Sequence, residues 1–259
     1  TAPATTAPAT TAPATTAPAT TAPATTAPAT TVVLAPVTTS TTTLPPVFEL
    51  YKFEGKGIRF NPCQVPVHVN LNPNGELSTQ ELASLELFLI WKSNEISEAT
   101  GFNVLYMGLH SEVPTTGYQR GEDIDIFIGE PGSSPILEKS EGHLYASRFS
   151  YDRNDGTFWE MDAMQVHVNA NKLDQWFEND GQMTESGEWL FMNLLGTAFG
   201  LVGLDEEDFG IPGTPSQQQR EQMKNEIMYW YPQKRFVHPS WGRGDLMGFF
   251  AVGVINGCF

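Results

Sequence analysis

The chain has 259 residues, with 14 Lys and Arg against 30 Asp and Glu, a formal net charge of -16. Residues 1–46 carry no charge, so all of it lies in 47–259, a length that suffices for one well-cored domain or two small ones. Such an acidic surface repels nucleic acid and anionic membranes, and no apolar run of about 18 residues is present to cross a bilayer.

Residues 1–30 are six copies of Thr-Ala-Pro-Ala-Thr, and 31–46 continue the bias through Thr38–Thr43 to Leu44-Pro45-Pro46. Proline recurs too often for helix or sheet, and no apolar face repeats at 3.6 or 2.0 residues. The tract predicts a semi-extended stalk, either an O-glycosylated or wall-crossing spacer or a plain linker. Either way it holds the folded part away from an anchor upstream. The chain opens inside the repeat without Met and is expected to be a fragment or processed form.

From Val47 the pattern changes. Gly57–Cys63 and Val65–Asn72 predict a turn and a strand, closed by the turn signal Asn72-Pro73-Asn74-Gly75. Ser78-Thr79-Gln80-Glu81 is a capping box opening a helix that ends by Gly101, with Leu82, Leu85, Leu89 and Ile96 on one face. Asn103–Gly108 and Ile124–Gly129 alternate as strands do. Leu144–Phe149 and Phe158–Met164 flank Asn154-Asp155-Gly156, a hairpin turn, and Met164–Asn169 predicts one more strand. A loop with Trp176 and Phe177 follows. From Ser186, read as the N-cap, a helix apolar almost all round runs to the stop at Phe199-Gly200-Leu201; such a helix is buried. After it come the acidic Asp205–Asp208, a Pro/Gly/Gln loop to Gln219, the segment Asn225–Tyr229, and Trp241–Phe250, where an Asp precedes an apolar run.

The central helix carries a resemblance. Gly196, Ala198, Phe199, Gly200 and Leu201 resemble the filler of H-E-x-x-H-x-x-G-x-x-H, the active-site helix of metzincin zinc metallopeptidases in its matrixin form. Asn193 stands at the first histidine, Leu194 at the general-base glutamate, Thr197 at the second histidine and Gly203 at the third. Arg59-Phe60-Asn61-Pro62-Cys63, a strand, a long helix and Ile96–Gly101 are similar in order to bacterial extracellular matrixin-like domains. Ile227-Met228-Tyr229 resembles the methionine turn beneath the metal, and Trp241–Phe250 with Asn256-Gly257-Cys258 resembles the family's C-terminal part. The resemblance covers about residues 56–258 and implies an α+β, zincin-like fold: a mixed, twisted sheet with two long helices, a methionine turn at Met228 and a C-terminal helix.

Leu and Gly bind no metal through their side chains, and Asn and Thr are poor zinc ligands beside imidazole. The four replacements therefore predict no resident zinc and no catalytic residue. The expected function is a non-catalytic, metallopeptidase-like extracellular or wall-associated domain that binds a protein or peptide or has a structural role. The alternative is an active hydrolase whose zinc is held elsewhere. His68, His110, His143, His167 and His238 contain no H-x3-H pair, and scattered, hydrogen-bonded histidines are the reading for each. Asn193 and Thr197, one turn apart, line the floor of the expected cleft, or satisfy polar groups in a buried cavity.

The resemblance admits structural calcium, for which Asp205–Asp208 or Asp152, Asn154 and Asp155 offer oxygens, though neither run fits a calcium-loop pattern. The G-x-S-x-G elbow of serine hydrolases is missing. Cys63 and Cys258 are too far apart in sequence for a C-x-x-C pair. They form either a disulfide or two separate thiols. The disulfide is favoured by the extracellular reading and would contribute roughly 5 kcal/mol in the chain-entropy view.

Overall fold

The structure, a computed structural model, describes residues 48–61, 66–114, 123–137, 144–204, 217–228, 240–254 and 257. The side chains of 149, 151–154 and 218–220 are outside that description. The architecture is α+β, with a mixed seven-stranded sheet and four α-helices among the described residues.

The strands are β1 (Lys52–Phe53), β2 (Lys56–Phe60), β3 (Val67–Asn72), β4 (Val104–Leu109), β5 (Asp123–Gly129), β6 (Tyr145–Asn154) and β7 (Phe158–Asn169). β7 organises them. One of its edges pairs antiparallel with β6 along nearly its whole length. The other edge takes β2 against Phe158–Met161 and then β5 against Ala163–Asn169, both parallel, so β2 and β5 lie end to end. β3 and β4 extend the sheet beyond β5, all parallel. The expected strands Phe158–Met164 and Met164–Asn169 are therefore one strand of 12 residues. No turn residue interrupts it, and β6 pairs straight across the expected break.

α1 (Thr79–Thr100) has the predicted capping box: Ser78 accepts from the Glu81 amide and Glu81 accepts from the Ser78 amide. It stops at Gly101, whose φ of 75° is a left-handed cap that only glycine adopts cheaply. Parallel pairing aligns Val69, Ile124 and Met164, then Leu71, Ile126 and Val166, on one face of the sheet. These residues form one buried cluster with Leu85, Phe88, Leu89 and Ile96 of α1. The opposite face is polar, with His68, Asn70, Asp123 and Asp125 in adjacent positions. The hairpin at Asn154-Asp155-Gly156 forms as predicted, with Gly156 at φ 98°.

α2 (Glu185–Ala198) is buried without interruption from Trp189 to Ala198. Its cap is Thr184, two residues before the expected Ser186. The Thr184 hydroxyl accepts from the Gly187 amide at 3.0 Å while donating to the Gln175 carbonyl at 2.7 Å. The Thr184 amide also bonds to the Trp176 carbonyl, so tertiary contacts with 175–176 choose between two competent caps. α3 (Gln217–Met223) falls where a loop to Gln219 was expected, and α4 (Arg243–Val252) follows Gly242. Among the described residues no helix is long and apolar enough to cross a membrane.

Candidate functional site

The motif-like positions Asn193, Leu194 and Thr197 lie in the buried part of α2, and Gly203 follows it. Asn193 and Leu194 have no exposed surface, Thr197 is 5% exposed, and Gly203 is half-buried in the segment that follows. Gly200 ends the helix at φ 89°, and a Cβ there would collide with the Ile58 carbonyl of β2. That close approach fixes where α2 stops against the sheet.

Asn193 and Thr197 come together around a side chain that sequence reasoning missed. The Tyr145 hydroxyl, from the start of β6, donates to Asn193 Oδ1 at 3.0 Å and is hydrogen-bonded to Thr197. Burial, with Tyr51 close by, pushes the Tyr145 phenol up to about 12, so the hydroxyl stays protonated as a donor. The amide nitrogen of Asn193 points to Met228 Sδ at 3.9 Å. Both ends of the amide are therefore occupied. Beside Thr197, the gap among Tyr51, Ile58, Met161 and Gly200 has no room for a water molecule. A tyrosine in a strand carries no sequence signal that its hydroxyl will reach a helix 48 positions away.

The Met228 turn packs beneath α2. Gly196 makes this approach possible, since a Cβ on it would stand 2.5 Å from Met228 Sδ. Two buried carboxylates hold the turn to α4. Asp245 accepts from the amides of Ile227, Met228 and Gly242, while Glu226 accepts from those of Gly244 and Asp245. The helix N-terminus and the turn thus satisfy their free amides with each other's acids. Trp189 Nε1 of α2 donates to the Ile227 carbonyl at 3.0 Å, a third tie. Asp245 was visible in sequence as an acid before an apolar run; Glu226 gave no such signal.

The described histidines lie elsewhere. His68 pairs with Asp123 at 3.0 Å, and His110 Nε2 is 3.9 Å from Asp125, both on the polar sheet face. Burial raises the Asp125 carboxyl above its usual range, against the pull of Asn70 and His110. His167 is fully buried. Its Nε2 faces the Gly129 carbonyl at 3.0 Å, which can only accept, so Nε2 carries the proton and Nδ1 accepts from the Ser134 hydroxyl. Burial lowers the His167 pKa, with the Gly129 bond opposing in part. Among the described residues no three carboxylate, imidazole or thiolate groups form a set able to hold a metal.

Asp155 is engaged in its hairpin. Both oxygens take bonds, from the Thr157 and Phe158 amides and from Arg59. Desolvation raises its pKa, but the bonds from Phe158, Thr157 and Arg59 outweigh that and hold it below the usual carboxylate range. Arg59 itself is buried and also donates to the carbonyls of Gly253 and Gly257, fastening the C-terminal segment to β2. His143, His238, Asp205–Asp208, Tyr229 and the expected Cys63–Cys258 disulfide lie outside the described residues, as do the side chains of Asp152 and Asn154. No family model and no curated protein matches the chain.

Proposed function

We propose that residues 47–259 are a matrixin-like, zincin-like domain that has lost its catalysis. It works outside the cell or at its wall, binding a protein or peptide or serving a structural role, held off its anchor by the 1–46 stalk. Several features support this reading: the strand–long helix–strand order of β3, α1 and β4, the replaced positions Asn193, Leu194 and Thr197 on α2 with Gly203 just after it, and a methionine turn under that helix fastened to α4 by Asp245.

The observation that carries it is the Tyr145 hydroxyl, bonded to both Asn193 and Thr197, the two positions that would face a zinc ion in the family frame. A metal needs lone pairs aimed at an open point. Here the Asn193 oxygen is taken by a neutral phenol and its nitrogen by a thioether. With Asn193 fully buried, any partner binds by another surface. The test is metal content of the purified chain with a thermal melt with and without a zinc chelator. No zinc and no shift is the expected result. Zinc near one per chain, with a fall in Tm on chelation, overturns the reading in favour of a hydrolase with a displaced site.

A further inference from the structure

His167 is a fully buried ionisable side chain outside the α2 site. Its strand, β7, is paired with β5 on one edge and β6 on the other, so its backbone is fixed from both sides. A surface loop, residues 130–137, follows β5 and turns back at once. The Glu130 carbonyl accepts from the Ser133 amide and hydroxyl, and the Gly132 amide donates to the Leu137 carbonyl. Gly129 admits that turn, since a Cβ there would stand 2.6 Å from both the Phe127 ring and the Ser133 hydroxyl. Gly132, Ser133 and Pro135 are exposed, whereas Ser134 and Leu137 are buried.

Two imidazole bonds tie this loop to the sheet. Nε2 donates to the Gly129 carbonyl where the loop begins, and Nδ1 accepts from the Ser134 hydroxyl in its middle. The second bond requires the neutral ring, because a proton on Nδ1 makes it a donor and forces the hydroxyl to turn its own proton away. Among the described residues nothing beside the ring offsets the added charge. Phe127 on β5 and Ala146 on β6 lie in register with His167, Gln165 and Asn169 flank it on its own face of β7, and all four are uncharged. Further out, Asp125 is bonded by Asn70 and faces His110, the Glu130 side chain is exposed, and Arg148, in register with Gln165, is itself a cation. An imidazolium here needs water. β5 and β6 are bonded to β7 along their length, which leaves the loop as the element that moves to admit it. We propose that His167 is an acid-released latch: neutral, it fastens residues 130–137 to β7, and protonated, it frees them while the sheet stays folded. Release uncovers Leu137, an apolar side chain hidden at neutral pH. Burial lowers the pKa of the latched ring, so the loop is held above about pH 6.5 and loosens as pH falls from there toward the lowered value.

Hydrogen exchange of the full chain, followed by NMR from about pH 7.5 to about pH 5 and corrected for intrinsic rates, tests this. Protection at Gly132 and Ser133 is expected to fall by up to about tenfold per pH unit, the most a single proton gives, while Ile126 and Val166 in the strand centres keep theirs. His167→Gln, neutral throughout, should hold the loop's protection level across the range. Ser134→Ala leaves β7 untouched and should lower the loop's protection already at neutral pH with the core unchanged. Loop protection that does not fall with pH in the parent overturns the proposal, as does a fall that persists in His167→Gln. Loop and core amides losing protection together overturns it equally, since His167 then acts on global stability alone.

Discussion

Tyr145→Phe removes one oxygen from the centre of α2's polar contacts and leaves the ring in place. Asn193 Oδ1, with no exposed surface, then loses its donor, the Tyr145 hydroxyl at 3.0 Å. An orphaned buried acceptor costs about 1–3 kcal/mol. In a domain of this size, about 2 kcal/mol lowers Tm by roughly 4–8 °C. Urea and thermal unfolding of the variant measure that cost. A double-mutant cycle then separates the bond from general disturbance. Asn193→Leu alone removes the phenol's amide acceptor, whereas Tyr145→Phe with Asn193→Leu replaces both partners by apolar groups, so the double variant loses less than the two singles added. A coupling of at least about 1 kcal/mol is expected. Additive losses, or a Tyr145→Phe protein that melts within a degree of the parent, would refute the claim that this hydroxyl fills the site.

Three further outcomes follow from the same geometry. Asn193→His, Thr197→His and Gly203→His combined with Tyr145→Ala should yield zinc binding, read by elemental analysis and a rise in Tm with added zinc, because the ligand types of the proposed family frame are then in place and the obstruction is gone; absence of zinc would count against that frame. Asp245→Ala should destabilise by about 2–4 kcal/mol, since three amides lose a charged acceptor, and hydrogen exchange at Ile227 and Met228 should accelerate before global unfolding does. His167 has a lowered folded pKa, so the unfolded chain binds its proton first and stability falls as pH drops below about 6.5 toward the folded value. The urea midpoint should fall between neutral pH and mild acid, and His167→Gln should flatten that dependence; equal slopes in both proteins would exclude His167 as the source.

The local elements were legible where the chain itself supplies the bonds. Ser78 and Glu81 cap each other within one turn, Gly101 supplies the left-handed stop, and Asn154-Asp155-Gly156 turns with its own Asp155 side chain as acceptor. Elements fixed by distant partners were not. α2 is capped by Thr184 rather than Ser186 because residues 175–176 engage Thr184, and β7 is continuous because β6 lies along it. The segment Gln217–Met223 is too short for its periodicity to distinguish a helix from a loop.

The site divides in the same way. That Asn193, Leu194, Thr197 and Gly203 are poor or impossible zinc ligands is a property of the sequence alone, because ligand chemistry resides in the side chain. What occupies the space they leave was decided only in three dimensions. Tyr145, Met228 and Asp245 reach α2 or its supporting turn from 48, 35 and 17 or 18 positions away. A hydrogen bond between residues that far apart depends on sheet pairing and helix packing, and neither leaves a periodic trace along the chain.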